Sequence, residues 1–317
     1  DSDSAATTPS GPDTTSALPA ITNVWVIALP GTSINAAAQT SAPASVLRDA
    51  IVPQGVLLSG YTLLSATPPV NGIAAVSGQP PTLAAQDGCT TRTDVAASSL
   101  DAKTGIASGD GCLYPTQIPS LAAQLTDGGG VVRTYDATAA AGSGCAGSAA
   151  PADARSPLPY FHAITDDAAA CVDRLGDGAR LTADLADPAA TPKFSWITAP
   201  DEPTAAQQFA ADTLAAIEAT DAYKHGGLVL VLPDAPAAAS PTDLAVGAVA
   251  ISPFIPATTT NATEFGPYGV LRLTEDLFTL PALAGAGVED VSQVDRSIFE
   301  STASGARSRH QPTRSSS

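Results

Sequence analysis

The run Leu228-Val229-Leu230-Val231-Leu232 is unbroken by any polar residue and is closed by Pro233, with Asp234 next. An apolar run of this length, rich in leucine and valine and bounded by turn residues, reads as a buried strand. The segment Thr204–Thr220 leads up to it with Phe209, Leu214 and Ile217 roughly on one helical face, and Gln207, Gln208 and Glu218 off that face. Lys224-His225-Gly226-Gly227 ends the helical pattern, and glycine there predicts a left-handed terminus. A helix feeding a buried strand restricts the chain to α/β architectures. The strand carries an acid to its carboxyl end, which is where open α/β sheets place their chemistry.

The rest of the chain repeats the alternation. Val24–Leu29 is a first strand, stopped by Pro30-Gly31; a helix is expected over 44–51 after Pro43, and an apolar segment follows at Val56–Leu58. Ile118–Leu125 reads as helix, Val131–Tyr135 and Phe194–Thr198 as strands, Ala245–Ile251 as another strand, and Leu271–Leu280 as a late helix. The fold class is α/β, a largely parallel central sheet with helices on both faces. Residues 1–20 and 301–317 are polar, low in complexity and without periodicity, and read as a disordered leader and tail around one domain at 21–300. The leader has neither an initiator methionine nor an apolar signal segment, which points to a processed, exported protein.

A net charge of −17, from 14 basic and 31 acidic residues, argues against nucleic acid, because neutralising phosphates needs clustered Lys and Arg. No apolar run reaches the roughly 18 residues of a transmembrane segment. The four cysteines, Cys89, Cys112, Cys145 and Cys171, form no CxxC pair, which disfavours a zinc knuckle. Their even number and spacing suggest Cys89–Cys112 and Cys145–Cys171 in an oxidising compartment; three pairings and four free thiols remain open.

Chemistry-bearing motifs are sparse. Gly128-Gly129-Gly130 and Gly226-Gly227 lack the Lys-Ser/Thr of a phosphate loop and read as turns. A nucleophilic triad needs a histidine base, and His162, His225 and His310 sit in a packed segment, a helix-ending turn and the tail. Acid pairs occur at Asp166-Asp167, Asp201-Glu202 and Glu275-Asp276; hard cations take such oxygens, but acids in loops and helix starts are commoner. Asn261-Ala262-Thr263 fits a glycosylation sequon.

In their order these segments resemble a known family. Ala222-Tyr223-Lys224-His225-Gly226-Gly227 and Leu271-Arg272-Leu273-Thr274-Glu275-Asp276-Leu277-Phe278 carry the likeness best, within a match over residues 21–282. The chain resembles the bacterial secreted phosphoesterases, acid phosphatases and phospholipases C of the alkaline-phosphatase-like superfamily. The resemblance implies that fold and metal-dependent hydrolysis of phosphoric esters. It also marks what is replaced. The family's Glu-Asn metal ligands fall on Pro30 and Gly31, its nucleophilic serine on Pro68, and only Asn71 of that segment persists. A histidine is replaced by Arg155 and another by Pro267, and the Asn-Asp-x-His-Asp segment reads Pro200-Asp201-Glu202-Pro203. The Thr-Trp-Asp-Glu motif becomes Leu232-Pro233-Asp234-Ala235, leaving Asp234 as a vestigial metal ligand.

The expectation is a secreted pseudoenzyme with no catalytic residues, no cofactor and a possible binding role, its partner unknown. One carboxylate cannot hold an ion that activates a hydroxyl and stabilises phosphoryl charge. An active phosphoric ester hydrolase is the alternative. Its rebuilt divalent-metal site would draw on Asp234, Asp201 and Glu202, with Thr67 or Arg155, their carboxylates converging within about 5 Å. An extracellular surface or carrier protein is the second alternative.

Overall fold

The structure, a computed structural model, describes residues 17–143, 145 and 155–299. The proposed tail, and the leader up to residue 16, lie outside the described residues. Among the described residues eight strands form one sheet: β1 (Asn23–Leu29), β2 (Val56–Leu58), β3 (Val132–Asp136), β4 (Leu175–Asp177), β5 (Phe194–Thr198), β6 (Gly227–Pro233), β7 (Ala248–Ile251) and β8 (Thr259–Asn261). Their spatial order is β4-β3-β5-β1-β6-β7-β2-β8. Every neighbouring pair is parallel except those of β7, which runs antiparallel to β6 and β2. Seven strands therefore point one way, and their carboxyl ends share one edge.

The α-helices among the described residues begin with α1 (Ile34–Ala37), α2 (Pro68–Ser77), α3 (Leu83–Gln86), α4 (Leu121–Asp127) and α5 (His162–Thr165). They continue with α6 (Ala168–Arg174), α7 (Gly178–Ala186), α8 (Pro203–Ala219), α9 (Asp221–Gly226) and α10 (Pro267–Phe278). None is long and apolar enough to cross a membrane.

The unbroken apolar runs are explained by burial on both faces of the sheet. Val24, Val26 and Ala28 of β1 and Leu228, Leu230 and Leu232 of β6 enter one core, shared with Val70, Ile73 and Val76 of α2 and Val270, Leu271 and Leu273 of α10. Trp25, Ile27, Leu29, Val229 and Val231 enter the other, packed on Ala206, Ala210, Leu214 and Ile217 of α8. Each such leucine or valine contributes roughly 1.5–3 kcal/mol of transfer free energy.

Several local expectations shift. The helix expected over 44–51 shrinks to a π-type turn, Leu47–Ile51, running into a 3₁₀ turn at Val52–Gln54. Ser120 caps α4, so Ile118 lies ahead of it, and α10 starts at Pro267, four residues before Leu271. Lys224-His225-Gly226-Gly227 does not end α8 in a left-handed turn. Thr220 caps a separate helix, α9, and Gly227 opens β6 at φ −89°. Glycine is needed there for space: a Cβ on Gly227 would lie 2.5 Å from Tyr223 Cα, and one on Gly226 2.6 Å from Thr22 Oγ1. Of the three cysteine pairings the structure has Cys89–Cys112 and Cys145–Cys171, with Cα atoms 5.8 and 5.7 Å apart.

Candidate functional site

β1 lies between β5 and β6, so the chain leaves three adjacent strands at Pro30, Ala199 and Asp234 on one edge. Backbone bonds zip the loops together there, from Asp234 N–H to Leu29 O (3.0 Å) and from Thr32 N–H to Ala235 O (3.2 Å). Crevices at this edge are where sheets of this type bind ligands.

The crevice holds the side chain of Arg155. Its Nε donates to Asp234 Oδ2 at 2.7 Å and its Nη2 lies 2.6 Å from the same oxygen. Nη2 also donates to Ala28 O on β1 (3.2 Å), and Nη1 to Ala199 O beyond β5 (2.6 Å) and to Asp201 Oδ1 (3.1 Å). One guanidinium thus ties the ends of β1, β5 and β6 to a single cation. The arrangement suits a planar fork of five donors and no other side chain. Arg155 is 10% exposed and Asp234 2%, while Asp201 is 80% exposed, so the inner pair is buried and the outer one solvated.

Burial dominates the electrostatics of Asp234. It pushes the carboxyl up to about 6; the Arg155 charge and hydrogen bond pull the other way, and Asp201 adds repulsion. Oδ1 of Asp234 has no partner among the described residues. The Tyr61 hydroxyl is likewise raised, chiefly by burial and secondarily by the Asp234 charge.

Asn71, the other position carried over from the family, is 2% exposed and serves the backbone. Its Nδ2 donates to Asp234 O (2.9 Å) and Ser65 O (2.8 Å), and its Oδ1 accepts from Leu64 N–H (2.9 Å). Pro68, which the sequence resemblance sets at a serine position, is the first residue of α2 and offers neither hydroxyl nor N–H. Thr67 Oγ1 donates to Gln86 O at 2.9 Å and has no base beside it among its hydrogen bonds.

The acid pairs divide their duties. Asp201 reaches Arg155, but Glu202 turns away to cap α8, accepting from Thr204 N–H (3.1 Å) and Ala205 N–H (2.7 Å). Asp167 caps α6, and Asp166 holds His162 Nδ1 at 2.8 Å while Asp94 lies 3.0 Å from its Nε2. Glu275 is fully buried and Asp276 binds Arg272 and Arg296. Asn261 of the sequon donates to Asp295 Oδ2 at 3.0 Å.

These donors do not fit the divalent ion that the fold family implies. Pro30 and Gly31 bring no side-chain ligand, Glu202 is committed elsewhere, and the inner oxygen of Asp234 faces a permanent cation. Among the described residues no three His, Cys, Asp or Glu side chains come together as a metal site. A hard cation needs about six oxygens, or several charged ones, and Asp234 brings to this crevice one unpartnered carboxylate oxygen. From sequence, Arg155 registers chiefly as a lost histidine. Nothing in its neighbours marks it as the residue on which three strands converge, since its contacts lie 44 to 127 positions away.

No protein-family model matches the chain, and no curated protein matches it. Solved structures do. A protein in the alkaline phosphatase superfamily from Vibrio parahaemolyticus is similar at 12% identity over 87% of this chain and 71% of its own, with a TM-score of 0.54. A 2-O GAG sulfatase is similar at 11% identity over 84% and 73%, with a TM-score of 0.52. The fold is alkaline-phosphatase-like.

Proposed function

We propose that this chain is a degenerate member of the secreted phosphoesterase family, a pseudoenzyme in which Arg155 stands where metal chemistry would otherwise be done. The observation that carries the reading is the guanidinium bound at once by Asp234, Ala28 O and Ala199 O at the carboxyl ends of three central strands. A guanidinium neutralises Asp234 without offering an open coordination position, so it can neither lower the pKa of a water nor hold a leaving oxygen as a metal does. Pro68 at the nucleophile position supports the same reading. Two disulfides favour an extracytoplasmic location.

The test is metal analysis of purified protein, joined to assays with nitrophenyl phosphate, bis-nitrophenyl phosphate and nitrophenyl sulfate in added Zn²⁺, Mn²⁺ or Ca²⁺. The expected result is well under about one ion per chain and turnover at background. Stoichiometric metal, with hydrolysis that disappears in Asp234→Asn, would favour the rebuilt metal site instead. Location is checked by fractionation: protein confined to a reducing cytoplasm contradicts it.

A further inference from the structure

On the same edge of the sheet, beyond the ends of β2 and β8, lies a cavity of about 700 Å³ lined by Leu63, Leu64, Phe265, Tyr268 and Val288 among others. That volume is of the size that encloses a small organic molecule. Its walls are held in place. Tyr61 bridges to Phe265 in continuation of the β2–β8 pair, with their rings 5.2 Å apart between centroids, and Gly285 N–H donates to Gly78 O at 2.9 Å. A Cβ on Gly285 would approach Tyr268 Cε1 to 3.0 Å, so these two segments pack closely where they meet at the cavity wall. The cavity is next to the Arg155 crevice but separate from it: Leu64 on its wall hangs from Asn71, whose amide donates to Asp234 O.

The charges on this cavity have one sign. Glu264 and Asp290 line it, both are exposed, and neither forms an ion pair among the described residues. Among the described residues no Lys, Arg or His lines it. Apolar walls favour an apolar body, aromatic faces and carboxylates favour a cationic head, and a net charge of −17 draws cations toward the surface. We propose that this cavity binds a small organic cation with an apolar body, an alkylammonium-type ligand. The inference holds whether or not the neighbouring crevice hydrolyses anything.

Calorimetric titration with octylammonium, 1-octanol and octanoate tests it, with backbone amide shifts locating the site. Octylammonium should bind about fivefold more tightly than octanol, octanoate most weakly, and salt should erase much of the difference. The shifts should centre on Gly266, Gly269 and Gly285. The double variant Glu264→Gln/Asp290→Asn, both at exposed positions, should bring octylammonium to the affinity of octanol. Val288→Trp, which fills the mouth from an exposed position, should weaken both. Equal affinity for the cation and the alcohol, an unchanged double variant, shifts elsewhere, or no binding at millimolar concentration would each overturn the proposal.

Discussion

Asp234 is 2% exposed and hydrogen-bonded through its side chain to Arg155, so burial raises its carboxyl and the guanidinium pulls part of the way back. With its carboxyl raised to about 6, the folded chain binds a proton more tightly than the unfolded chain between about pH 4 and 6. The stability from this group is full below about pH 4 and lost as pH rises through about 6. Arg155→Ala strands the carboxylate, and should lower the unfolding free energy by about 3 kcal/mol near neutral pH. The loss should be smaller near pH 4.5, where Asp234 is already protonated; urea titrations at the two pH values compare them, and an equal loss would contradict the charge account. Glu275 obeys the same sign. Burial raises its carboxyl to about 8, with Oε1 accepting from Leu283 N–H at 2.9 Å and Oε2 unpartnered among the described residues. Its contribution is full below the unfolded value near 4.5 and is lost as pH rises through about 8. Glu275→Gln keeps the acceptor and removes the charged form. Its stability should vary less than that of the parent between about pH 5 and 9, and exceed it at the alkaline end.

Among elements, α8 and the α2 loop show where sequence reading reaches and where it stops. The face of α8 was legible because Leu214 and Ile217 obey helical spacing and are buried, while Phe209, assigned to the same face, is half-buried at its margin. The role of Asp201-Glu202 was not legible: adjacent in sequence, one acid meets Arg155 and the other caps the helix, and only the direction of the chain at Pro203 separates them. Glu202→Ala should therefore lower the melting temperature more than Asp201→Ala, which removes a solvated contact. A rebuilt metal site would instead make both substitutions alter metal uptake. Asn71 ties the 64–65 turn to the end of β6, so Asn71→Ala should cost about 2 kcal/mol by leaving buried backbone groups unpaired, measured by chemical unfolding. Asparagine at this position resembles the family, but its duty here is hydrogen bonding to backbone.

For the whole molecule, the disulfides and the sheet order bear on stability differently. Cys89–Cys112 closes a separation of 23 residues, and replacing both with alanine should lower stability by about 3 kcal/mol through the unfolded ensemble. A change much below 1 kcal/mol would show a denatured state already restrained by other contacts. What the sequence determined by itself was the class of the fold: runs apolar at every position need a layer on each face, and helical spacing between them supplies those layers. It also determined that Pro30, Gly31 and Pro68 bring neither a side-chain ligand nor a hydroxyl wherever they lie. Only the tertiary structure decided the strand order, the reversal of β7 and the convergence on Arg155. Those depend on contacts between residues distant along the chain, which local spacing does not encode. Asp234 alone could equally have faced a metal, water or a cation, and the packing of three strand ends around one guanidinium selects the last.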